Sequence, residues 1–141
     1  MLKLLVPVEE NEIRAEMIGA LVGWLRRIET PHQIHLIHVQ PAIHGDVSMF
    51  LSHDQIQDYQ REDGMKELEG TMKQLDAESI AYEHHICVGD PAEVIAQFAK
   101  QNEMHQIVIG YRSFNALVGL LRSSLHARVL ELADIPVMLI K

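Results

Sequence analysis

Cysteine is nearly missing from this chain: one thiol, Cys87, stands among 141 residues. No internal disulfide can form, and neither a disulfide scaffold nor a four-thiolate zinc site is open to it. Aromatic residues make up 5%, and basic residues number 12 against 20 acidic ones, for a net charge of −8. Nucleic-acid binders need a basic face to neutralise phosphates, so no nucleic-acid partner is expected. No apolar run approaches the roughly 18 residues of a membrane span, so no membrane partner is expected either. Met1-Leu2-Lys3 leads straight into an apolar run without a small-residue cleavage site, which predicts a cytoplasmic protein without a secretory leader. What the chain does have is the composition of a folded domain, 48% hydrophobic and 23% charged. Its length predicts one domain spanning 1–141.

Short apolar runs alternate with longer amphipathic ones. Leu2-Lys3-Leu4-Leu5-Val6-Pro7-Val8 suits a strand buried on both faces, ending near Pro7, which has no N–H for a sheet ladder. Asn11 is placed to cap a helix carrying Ile13, Met17, Ala20, Leu21, Trp24 and Ile28 on one face. Ile34–Val39 is a second strand, and Pro41–Leu51 a loop. A polar segment from His53 to Ala77 has helical spacing, weakened by Gly64 and Gly70. Ile80–Val88 predicts a third strand, with Cys87 as a buried core thiol. In Gly89-Asp90-Pro91-Ala92-Glu93, Asp90 caps, Pro91 fits the first helical position and Glu93 can reach back to the cap. Val94, Ile95, Phe98 and Ala99 form the buried face of that helix. Gln106–Ile109 is a strand ending at Gly110. A long linker follows. Ser123 or Ser124 then caps a last helix with Leu125, Val129 and Leu132 inward, and Val137–Ile140 is the last strand. Strict β-α alternation predicts an α/β fold, a parallel sheet with helices on both faces and right-handed crossovers. Ligands in such sheets sit beyond the strand C-terminal ends, where the strand order reverses.

The Val-Pro-Val end of the first strand, Leu36-Ile37-His38-Val39, Gly89-Asp90-Pro91-Ala92-Glu93 and Ile107-Val108-Ile109-Gly110 with Ser123-Ser124 and Ile135-Pro136-Val137 together resemble the universal stress protein family. The resemblance covers essentially the whole chain. It implies a Rossmann-like, five-stranded parallel sheet of order 3-2-1-4-5. It also implies a homodimer paired through the last strand, Val137, Met138, Leu139 and Ile140. Many members bind ATP through Gly-x2-Gly-x9-Gly-(Ser/Thr) after the fourth strand, with an Asp just after the first. Glycines there admit backbone N–H groups to the phosphates, and the last helix points its N-terminus at the anion.

In this chain that frame reads Gly110, Ser113 and Ser123-Ser124, and the Asp position is Glu9, one methylene longer. If the backbone at Ser113 and Ser123 must be left-handed, each costs about 1–2 kcal/mol. Two such costs weaken a nucleotide by roughly a hundredfold. The resemblance therefore implies a stress-response binding module whose crevice takes ATP or another adenine nucleotide with reduced affinity. The candidate contacts are Pro7, Glu9, Val39, Gly110, Arg112, Ser113, Arg122, Ser123 and Ser124. The alternative is a dimeric interaction protein that binds no nucleotide. No catalytic residue is identified.

Nine histidines invite a metal reading. Along a strand, His35 and His38 point to opposite faces, as do His84 and His85, so no metal site is expected. His38 reads as a hydrogen-bonded structural residue. Arg112, Arg122, His126 and Arg128 form a local cationic cluster, of which Arg112 and Arg122 sit in the linker aimed at the crevice. Phe114, Leu117, Val118, Leu120 and Leu121 make that linker apolar, suited to packing over the core or a dimer interface.

Overall fold

The computed structural model describes residues 1–43, 50–110 and 125–141. The strands are β1 (Leu2–Pro7), β2 (His32–Gln40), β3 (Tyr82–Val88), β4 (Gln106–Gly110) and β5 (Val137–Ile140). The helices among the described residues are α1 (Arg14–Ile28), α2 (His53–Ala77), α3 (Pro91–Gln101) and α4 (Leu125–Leu132). The sheet is five-stranded in the order β3-β2-β1-β4-β5, and every pairing is parallel. The expected α/β fold and strand order are both found.

Alternation along β1 and β2 sorts the core into two layers. Leu4, Val6, Val8, Ile34 and Leu36 face one way and pack with α1 and α2. Leu5, Ile37 and Val39 face the other way, against Ala92, Ile95 and Ala99 of α3 and Val129 of α4. Both faces of the central strands are dry, which is why their sequence is a continuous apolar run instead of an alternating one.

Several local readings shift. Helix α1 begins at Arg14, with Ile13 at the cap position and no side-chain cap. Asn11 instead accepts the Ile13 N–H at 3.0 Å, closing the turn ahead of the helix. The buried stripe of α1 runs through Met17, Ile18, Leu21, Val22 and Leu25, leaving Trp24 and Ile28 at its margin. Helix α2 is continuous through both glycines and starts with a capping box, Ser52 accepting from Gln55 N–H while Gln55 accepts from Ser52 N–H. Gly70 is there for room: a Cβ would meet the Arg14 guanidinium at 2.5 Å. Strand β3 starts at Tyr82, not Ile80, and lies at the sheet edge, so Cys87 is half-buried and burial pushes its thiol pKa up. Leu132, expected inward on α4, is 40% exposed.

Asp90 caps α3 as expected, accepting the Glu93 N–H at 3.2 Å. The Glu93 carboxylate lies 3.8 Å from Arg128. Arg128 donates to Asp90 at 2.8 Å, so this cation clasps α4 to the start of α3. The Arg128 hydrogen bond, then the Glu93 N–H, hold the Asp90 carboxyl below its ordinary value of 3.8. A carboxyl depressed by folding stabilises above that ordinary value, and the contribution disappears as pH falls through the lower folded value. Asp90→Asn keeps a capping oxygen and removes the charge. The variant should melt below the parent at neutral pH and converge with it under acid. Parallel melting curves at every pH would show that the clasp contributes nothing.

Candidate functional site

Strand order reverses between β1 and β4, which flank each other while their connections leave in opposite directions. Such a point opens a crevice beyond the strand ends. Here the crevice is lined by Pro7, Val8, Glu9, Ile37, His38, Val39, Ile109 and Gly110 from the strand ends. Residues of α1, Pro91 and Ile95 of α3, and Leu125, His126 and Val129 of α4 complete its walls. Most of these side chains are apolar; the polar ones include the exposed Glu9 and the buried His38.

The corner after β1 is fixed by backbone and side chain together. Val8 N–H donates to the Ile37 carbonyl at 2.8 Å. The Val8 carbonyl lies 2.8 Å from His38 Nδ1. A carbonyl can only accept, so Nδ1 carries the proton. His38 Nε2 then accepts from the Gln40 amide at 2.9 Å, and the same amide donates to Asp63 of α2 at 3.0 Å. This buried relay runs from the crevice corner to α2, and His38 is the hydrogen-bonded structural residue that its sequence position suggested.

Four expected contacts, Pro7, Glu9, Val39 and Gly110, line this one crevice. Arg112, Ser113, Arg122, Ser123 and Ser124 lie outside the described residues, as does the apolar run from Phe114 to Leu121. Gly110 has a packing reason beyond any phosphate: a Cβ there would stand 2.7 Å from Met17 Cγ and 3.2 Å from Met17 Cβ. Of the cationic cluster, His126 lines the crevice, while Arg128 is engaged by Asp90.

Arg14 lines the crevice and was not singled out in the sequence. Its Nε donates to Glu10 at 2.6 Å, and Nη1 to Gln74 of α2 at 2.9 Å. Glu10 in turn donates its N–H to Glu67 at 2.6 Å. The i,i+4 spacing of Glu10 and Arg14 was a readable signal, but the gap left by Gly70 was not.

A second group forms on the α3 face of the sheet, among β2 and β3. His35 and Glu83 are register partners, and His85 follows Glu83 on the same face. His35 Nδ1 lies 3.0 Å from His85 Nε2 and 3.2 Å from Glu83 Oε2. The His85 ring also tilts against Phe98 of α3, with centroids 4.6 Å apart. Burial lowers the pKa of both imidazoles, opposed by the Glu83 charge. His35 and His38 do face opposite sides, as do His84 and His85. The sequence comparison of neighbours along one strand missed the pairing across two.

The sequence pattern of the universal stress protein family matches residues 1–141. Universal stress protein YxiE of Bacillus subtilis (strain 168) is 24% identical over 149 residues, covering 99% of this chain and 98% of its own. An Arabidopsis thaliana universal stress protein family structure with AMP bound superposes with a TM-score of 0.69 at 23% identity, covering 100% of this chain and 92% of its own. The universal stress protein of Archaeoglobus fulgidus in complex with dAMP gives a TM-score of 0.65 at 21% identity, with 100% and 98% covered.

Proposed function

Since the chain belongs to the universal stress protein family, we propose that its crevice binds an adenine nucleotide and that the protein acts as a non-enzymatic stress-response module. The observation that carries the reading is the crevice itself, at the strand reversal and walled by apolar side chains, in a fold shared with AMP- and dAMP-bound structures. The base and ribose lie over Val39, Ile37 and Ile109, and Glu9 at the rim meets the sugar hydroxyls. Arg14 is neutralised by Glu10, so phosphate charge falls to Arg112 and Arg122, with Ser113, Ser123 and Ser124 as hydroxyl donors. Serines in place of two glycines, and Glu9 in place of an aspartate, set the affinity below that of the full motif. The protein works in the cytoplasm.

Thermal melts with millimolar AMP, ADP and ATP–Mg²⁺ test this. At 100 times its dissociation constant a ligand stabilises by about 2.7 kcal/mol. For a chain of this length that is a shift of several degrees. A shift that shrinks in Ser124→Ala supports the reading, and no shift with any of the three overturns it.

A dimer through Val137–Ile140 is the companion reading. β5 is an edge strand, and Leu139 on it is 43% exposed; Leu130 and Leu132 of α4 are exposed as well. An open edge with apolar neighbours is a ready surface for a second copy. Without any nucleotide response, this interface becomes the principal function.

A further inference from the structure

We propose that His35, Glu83 and His85 form a binding site for one divalent transition-metal ion of the zinc class. None of the three lines the crevice, so the site is independent of the nucleotide reading. The ligand atoms lie within 4.8 Å of one another. A tetrahedral ion with bonds of 2.0–2.1 Å holds its ligand atoms roughly 3.3–3.4 Å apart. The separations of 3.0 and 3.2 Å at His35 Nδ1 are already close to that edge. The third pair, His85 Nε2 and the Glu83 carboxylate, lies within 4.8 Å, so loading requires that edge to close and the two imidazoles, now 10° from parallel, to turn toward a common point.

The chemistry of the three atoms favours a cation. His35 Nδ1 faces two groups at once. The Glu83 carboxylate can only accept, and a neutral imidazole carries a single N–H. If that proton is on His35 Nδ1, it is divided between Glu83 and His85. If His85 Nε2 donates instead, the carboxylate oxygen confronts the unprotonated face of His35. A single divalent ion satisfies all three lone pairs together and offsets the carboxylate charge. Two imidazoles and one carboxylate match zinc, and nickel or copper by ligand type, better than magnesium or calcium. Glu83 is 59% exposed at the sheet edge, which gives the ion a way in and leaves the fourth position to water.

Two features hold the affinity down. Lys3 adds positive charge near His35, although its ammonium is engaged by the Asn102 carbonyl. Ligation through Nδ1 also places the His35 N–H at Nε2, a buried nitrogen without a hydrogen-bond partner. Partners of that kind are worth about 10–100-fold in metal affinity. The site is thus weaker than a fully supported one by that factor.

The test is Zn²⁺ titration of the untagged, metal-free protein without nucleotide, followed by calorimetry, with Co²⁺ absorption reporting geometry. The expected result is one ion per chain and tetrahedral Co²⁺ bands. Glu83→Gln, at an exposed position, should weaken binding at least about tenfold, and His85→Asn at least about a hundredfold. No stoichiometric uptake overturns the proposal. So does uptake unchanged in Glu83→Gln, which would place the ion on other histidines; this arm stands even if His85→Asn fails to fold.

Discussion

Gly110→Val is expected to lower the melting temperature by roughly 3–10 °C, the equivalent of about 1–3 kcal/mol of overpacking. Gly110 ends β4 beneath the start of α1, and its added Cβ would meet Met17 Cγ at 2.7 Å and Met17 Cβ at 3.2 Å. The second distance matters more. A thioether can swing away, but a Cβ moves only with its backbone, so relief requires α1 to lift off the sheet. Met17 is 7% exposed and packed with Val6, Ile18 and Leu21 in the α1 layer, so its thioether can turn along the crevice it borders but its Cβ is held. Valine suits a strand better than glycine does, so any loss must come from the collision. A double cycle with Met17→Ala isolates it: contacting pairs couple by about 0.5–3 kcal/mol. Additive losses would sink the steric account. If Gly110 served a ligand alone, the variant would melt like the parent and lose only its nucleotide response.

His38→Leu should cost about 2–4 kcal/mol, measured by denaturant unfolding, since two buried groups each lose a partner worth roughly 1–3 kcal/mol. The Val8 carbonyl loses its donor and the Gln40 amide one of its two acceptors. Leucine approximates the volume of imidazole, so the loss reports hydrogen bonding more than packing. The corner after β1 loosens as well, and the Val8 N–H, bonded to Ile37, should exchange faster with solvent. A variant with the parent's stability and exchange would mean that ordered water replaces the relay.

How much was legible beforehand follows from where the deciding information lies. The central strands announce themselves because Leu4-Leu5-Val6 and Ile34–Val39 need dry surroundings on both faces. The Asp90-Pro91 helix start was readable because cap, proline and buried stripe fall within one turn. What failed was set by neighbours distant in sequence. Ile80–Val88 reads only as a strand; its edge place came from the order 3-2-1-4-5 that the family resemblance implies, and reading Cys87 as a core thiol did not carry that order through to a half-buried Cys87 and a Val88 46% exposed. The period of α4 placed Leu132 inward, but at the end of this eight-residue helix it is 40% exposed, and Val129 is the residue the helix buries. His35, Glu83 and His85 are brought together only by the β2–β3 register, which no spacing along either strand encodes. Arg14 looked like one more surface charge until Gly70, 56 positions later, opened the place where its guanidinium lies.

The first strand made is the middle strand of the finished sheet. In chain order, β1, β2 and β3 come first, with α1 and α2, whose side chains complete one hydrophobic layer on them. The opposite layer has no lid until α3 follows, and the second edge of β1 has no partner until Gln106 and Ile107 arrive. Between the end of β3 and the arrival of β4 the chain is thus a half-sheet whose α3 face is not yet covered and whose β1 edge is an open row of backbone donors and acceptors. That state invites mispairing with other chains. The last third of the sequence therefore also ends the interval in which the nascent chain is most exposed to aggregation.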